Sequence, residues 1–167
     1  MPLLCRPDRL RLLKSAQASF IVVSMEDRFN LQRFVDAQRD EIDDVRAELT
    51  RGRKDSHWMW FVFPQLRGLG HSGMANRYGI SGRAEAEAYL AHPTLGPRLL
   101  ECTELVNRIE GKTAEEIFGG IDSIKFRSSM TLFSLVASDA TTFGDALQKY
   151  FQGHPDPRTI ELLGKSA

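Results

Sequence analysis

Apolar residues recur at helical spacing along most of the chain. Near the C-terminal end Phe143, Ala146, Leu147, Tyr150 and Phe151 fall at i, i+3, i+4, i+7 and i+8, the stripe of an amphipathic helix. Gly153 supplies a stop there, and Pro155 and Pro157 follow it. Leu95, Leu99, Cys102, Val106 and Ile109 form a second stripe, closed by Gly111. Leu31, Phe34 and Val35 form a third, with Asn30 as the expected N-cap, and Ile42, Val45 and Leu49 a fourth, ended by Gly52. Between Ile121 and Ala137 the residues Ile124, Met130, Phe133 and Val136 predict a further buried helix. Thr113 and Glu116 have capping-box spacing and open a short helix through Phe118. Ala84 to Ala91 reads as another, stopping before Pro93. The pattern predicts a mainly α fold, a compact irregular bundle of seven to nine short helices, with no internal repeat.

One stretch departs from this pattern. His57-Trp58-Met59-Trp60-Phe61-Val62-Phe63-Pro64-Gln65 holds both tryptophans of the chain and six apolar residues in succession. Period alone leaves helix and strand both open, and Pro64 ends whichever forms. Two positions apart, Trp58 and Trp60 cannot both face inward on one helix, so one is expected on a pocket wall or at the surface. The following Gly68-Leu69-Gly70-His71-Ser72-Gly73 matches G-x-G-x-x-G as a string. A dinucleotide site also needs a strand before it and alternating strands and helices around it. Pro64 intervenes and that alternation is missing, so a glycine-rich turn whose amides face an anion is the better functional reading.

Charge narrows the partners. Lys plus Arg and Asp plus Glu stand at 22 each, so no basic footprint points to nucleic acid. Residues 1–24 carry four basic residues against one acid and show no sustained period. The folded domain is therefore expected over 25–167, with 1–24 a disordered or non-native extension. Without that extension 18 basic and 21 acidic residues remain. No run approaches the roughly 20 apolar residues of a membrane span. The two cysteines, Cys5 and Cys102, make a disulfide framework improbable and point to a reducing, cytoplasmic setting.

Candidate chemistry gathers at two places. His57 and His71 are the candidate acid–base residues, the first because partial burial beside tryptophan would keep it neutral near pH 7. A helix cap or a core hydrogen bond explains His57 equally well. Trp58 or Trp60 would stack on a planar ligand, or serve simply as core. Gln65, Arg67 and Arg77 flank the glycine turn and would hold an anion, or stand as solvated loop charges. Lys125, Arg127, Ser128 and Ser129 form the second group, with Lys125 and Ser129 one helical turn apart. The two serines need partners if buried, and bonding back to helix carbonyls would supply them. No zinc-like spacing, Walker loop or nucleophile elbow is present, so neither a metal nor a cofactor is expected. Asp40, Glu41, Asp43 and Asp44, with Arg39 and Arg46, read as a solvated face, and Cys102 as packing.

Leu31 to Gln38, Ser56 to Gln65, Gly68-Leu69-Gly70, Tyr78-Gly79-Ile80, Ala88 to Pro93 and Leu95 to Leu99 together resemble the bacterial and fungal family DUF1810. Ile117-Phe118-Gly119, Lys125 and Ser128 to Phe133 extend the resemblance, which runs from about Phe29 to about Leu163. It implies a compact, mainly helical fold and no established reaction. Some members carry the label calpastatin. An inhibitor that works as a disordered chain would be polar and poor in aromatics, unlike this sequence. Two functions stay open. One is a domain that binds a small anionic, nucleotide-like ligand and acts on it, with residues 56–78 and 125–129 lining a common cleft. The other is a non-catalytic module that anchors a protein partner through an exposed aromatic patch.

Overall fold

The computed structural model describes residues 27–166. The expectation for residues 1–24 lies outside them. The chain divides into two units, Met1–Gln32 and Arg33–Ala167. The described part of the first is a turn, in which Asn30 N donates to Asp27 O at 2.9 Å. Asn30 has φ 53°, a left-handed conformation and not the extended one expected of an N-cap.

Ten helices occur among the described residues, one more than the upper end of the expected range. They are α1 (Gln32–Arg39), α2 (Ile42–Thr50), α3 (Met59–Val62), α4 (Gly73–Tyr78), α5 (Arg83–Ala91), α6 (Leu95–Asn107), α7 (Ala114–Phe118), α8 (Gly120–Val136), α9 (Thr141–Phe151) and α10 (Pro157–Lys165). The added helix is α10. Pro157 occupies its first turn and Asp156 caps it by accepting from Thr159 N, so the proline starts a helix where it was read as part of a stop. The aromatic run resolves as one helical turn, α3. A single parallel bridge, Leu66 to Ile80, is the only pairing of strand type among the described residues.

Within the second unit α6 and α8 form the centre. α8 packs against α3, α5, α7, α9 and α10, and α6 against α2, α3, α5 and α9. Their shared core is aromatic: Phe63 meets Phe126 edge-on at 5.0 Å, and Phe126 stacks on Phe118 at 4.7 Å. Local signals act as expected. Thr113 and Glu116 form the reciprocal capping box of α7, and Phe143, Ala146 and Leu147 of α9 are buried. Cys102 is fully buried, and burial pushes its thiol up to about 12. Asp40, Glu41, Asp43 and Asp44 are exposed. Among the described residues no helix is long and apolar enough to cross a membrane.

Candidate functional site

The connection from α2 to α3 is folded around one carboxylate. Glu48, 4% exposed, accepts from Asp55 N at 2.8 Å, Ser56 N at 3.1 Å, Trp58 Nε1 at 2.8 Å and the Ser56 hydroxyl. Burial alone would raise its pKa. The bonds from Ser56, Asp55 and Trp58 outweigh that and hold it at about 2. Trp58 is thereby pinned inside at 0% exposure. It cannot stack on a ligand, so the stacking role expected of it falls to Trp60 alone.

Trp60, two residues on, is half-buried and faces another set of charges. Lys125 Nζ lies 4.3 Å from its ring centroid, a cation–π contact. The same ammonium is 2.9 Å from Asp122 Oδ1, while Lys54 Nζ lies 2.8 Å from Asp122 Oδ2. Lys54 also donates to Ser56 O at 2.5 Å. These side chains are largely withdrawn from water, at 7% for Lys54, 18% for Asp122 and 18% for Lys125. Burial would raise the Asp122 pKa, but the two lysines outweigh it and hold the carboxylate below its ordinary range. The group thus carries two positive charges against one negative.

Trp60, Lys125, Gln65, Phe63, Tyr78 and Gly79 line a narrow crevice of about 10 Å³, room for about one water. Its wall at 77–81 is held from behind by Arg33, which donates to Arg77 O at 2.9 Å and Gly79 O at 3.3 Å and pairs with Glu85 at 2.6 Å. A Cβ at Gly79 would lie 2.7 Å from Ala75 O and 2.9 Å from Arg67 Cα, so only glycine lets the two backbones approach. At Gly70 a Cβ would sit 2.8 Å from the Ala75 side chain, which leaves no room for one. The first of the glycines in the G-x-G-x-x-G string lies beside a lone bridge and not after a strand, which removes the dinucleotide reading.

The residues singled out from sequence therefore separate. Trp60, Gln65 and Lys125 line the crevice. Arg67 and Arg77 are exposed on the segments that form its wall; Arg67 reaches Gly79 O at 3.5 Å, and Arg77 lies 5.4 Å from the Tyr78 ring. His57 and His71 are exposed and absent from the lining, so the partial burial expected of His57 does not hold. Arg127 turns to the start of α10, donating to His154 O at 3.0 Å and Pro155 O at 3.1 Å. Ser128 donates to Ile124 O and to Asp156, both at 3.1 Å, combining the back-bond expected of it with a structural tie. Ser129 is buried, and its hydroxyl has no hydrogen-bond partner among the described residues. None of these last three lines the crevice.

Sequence did not single out Lys54, Asp122 or Glu48. The Asp122–Lys125 spacing of three was the available sign, since it puts both on one helical face. Two larger grooves lie elsewhere, of about 380 Å³ around Leu100 and Phe143 and about 410 Å³ around Gly52 and Ile109. Neither contains a candidate site residue from the sequence; the crevice is preferred as the site for its charge and half-buried ring, not its size. No group of three or more His, Cys, Asp or Glu among the described residues could hold a metal ion.

A family model described as "Protein of unknown function (DUF1810)" matches residues 28–163. No curated protein matches the chain. The crystal structure of the conserved hypothetical protein Rv1873 from Mycobacterium tuberculosis is similar, at 55% identity and a TM-score of 0.82, covering 83% of this chain and 99% of that one.

Proposed function

Because the chain belongs to the DUF1810 family, whose description assigns no function, we propose a function from the site itself: it binds a small anionic molecule with a planar part, nucleotide derivatives among them, at the Trp60–Lys125 crevice. The observation that carries this is the unmatched positive charge of Lys54, Asp122 and Lys125, held mostly out of water beside a half-exposed indole. A poorly hydrated excess cation is costly, and an anionic group supplies the missing counter-charge. Lys125 and the Gln65 amide would meet the anionic group, Arg67 and Arg77 would hold its outer oxygens, and Trp60 would carry the planar part.

The crevice is too small to enclose a ligand, so an anionic atom group enters it and the rest lies across the rim. His57 and His71 stand outside the lining, and no acid–base step is part of the proposal. A cytoplasmic setting fits the low cysteine count. The interaction-module alternative has less support. Trp58 is buried, and the most exposed large apolar side chains are aliphatic, Ile121 at 75% and Ile124 at 65%.

A thermal-shift panel of nucleotides, sugar phosphates and other phosphorylated metabolites tests the reading. A ligand at a hundredfold its Kd adds about 2.7 kcal/mol of stability. At least one anion should produce such a shift in the native chain and lose it in Lys125→Met. A panel without shifts, or a shift untouched by Lys125→Met, contradicts the proposal.

A further inference from the structure

The groove of about 380 Å³ lies on another part of the second unit and shares no residue with the crevice. Its volume falls in the range of small-molecule sites, about 300–1,000 Å³. The floor is apolar: Leu90 of α5, Leu100 of α6, Val136 at the end of α8, Ala137 after it and Phe143 of α9. Leu100 is 36% exposed, so part of this surface faces water without a partner.

Among the described residues the charged side chains in the lining are Glu87 and Asp139, with no cation. Glu87 stands at the middle of α5, one turn before its end at Ala91, and Asp139 lies three residues past the end of α8. Ala91, the last residue of α5, and Val136, the last of α8, also line the groove. Arg83 donates Nη1 to Leu135 O at 3.0 Å and forms a long, exposed ion pair with Glu87 at 3.8 Å, which screens that carboxylate only weakly. Asp139 uses Oδ1 for Thr141 N at 3.0 Å and Thr141 Oγ1 at 2.7 Å. Oδ2 has no hydrogen-bond partner among the described residues. The Thr141 bonds also keep the Asp139 pKa below its ordinary value, so the carboxylate stays charged.

We infer that this groove binds a small organic amine, its apolar body on Leu90, Leu100 and Val136 and its ammonium between Glu87 and Asp139. Charge complementarity selects the occupant: an ammonium is attracted by both acids, a neutral apolar molecule by neither, and an anion is repelled. The inference is independent of the crevice.

Three probes of similar shape, titrated into the full chain and followed by amide chemical shifts, test it: 2-phenylethylamine, 2-phenylethanol and 3-phenylpropionate. The amine should shift signals from Leu100 and Ser138 and bind about tenfold or more tighter than the alcohol. The acid should bind weakest. Glu87→Gln with Asp139→Asn removes two exposed charges, keeps the Thr141 acceptor and should bring the amine down to the level of the alcohol. Equal binding of amine and alcohol, an amine preference that survives both substitutions, or no saturable shift with any probe overturns the inference.

Discussion

Trp58 and Trp60 are separated by one residue, and each lies near a carboxylate, yet the two surroundings are built in opposite ways. Around Trp58 the charge is fully answered: Glu48 takes four donors, one of them the indole itself, and the ring is sealed at 0% exposure. Around Trp60 the charge is left over, because Asp122 serves two lysines, Lys125 over the half-buried Trp60 ring and Lys54 at 5.2 Å from the Trp58 ring. A satisfied buried acid rigidifies a fold, and the chain spends Glu48 on fixing the 53–58 connection. An unbalanced group contributes less to the fold and leaves attraction available to a ligand. Proximity in sequence thus says little about role; the completeness of the hydrogen-bond set separates scaffold from site.

The largest expected effect breaks the closed half. Glu48→Ala leaves Trp58 Nε1 and two amides without an acceptor and should cost on the order of 3 kcal/mol in urea unfolding, since each buried unsatisfied donor costs about 1–3. The same residue sets an acid limb. Its folded pKa of about 2 lies below its ordinary value of 4.5, so its contribution is fully present above pH 4.5 and is lost as pH falls toward 2. In Glu48→Gln that part of the stability–pH curve should flatten, and an unchanged curve would contradict the assignment.

The open half should respond less, and asymmetrically. Asp122→Asn leaves two ammoniums facing each other and should cost about 2 kcal/mol by thermal unfolding, the scale of a lost hydrogen bond to charged groups. Lys125→Met should shift stability by less than about 0.5 kcal/mol, because Lys54 and Asp122 then pair one to one and the thioether still covers Trp60. Equal losses from the two substitutions would mean that Lys125 is structural and carries no surplus charge.

Local signals made most of the helices legible. The stripe from Phe143 to Phe151, the Thr113–Glu116 box and the Pro93 stop each concern residues within two turns of one another, where spacing fixes geometry. Asp156-Pro157 was equally local, but a proline reads as a breaker until its N-cap is recognised. The site was only half legible. That one tryptophan must face outward follows from their spacing, and Lys125 stood out as a cation before a buried run. Which acid each residue would meet depended on how α2, α3 and α8 pack, and no spacing encodes that. Ser128 and Arg127 were drawn toward α10, whose start they tie down, so a helix missed in the sequence also claimed two residues assigned to the site.

Iodide quenching separates the two halves without knowledge of any ligand. The chain has two tryptophans, so Trp58→Phe reports Trp60 alone and Trp60→Phe reports Trp58 alone. Trp60 emission should be quenched steeply by iodide and hardly by caesium, as a surplus positive charge demands, while Trp58 resists both ions. Caesium quenching Trp60 as well as iodide does would contradict the claim that this crevice attracts anions.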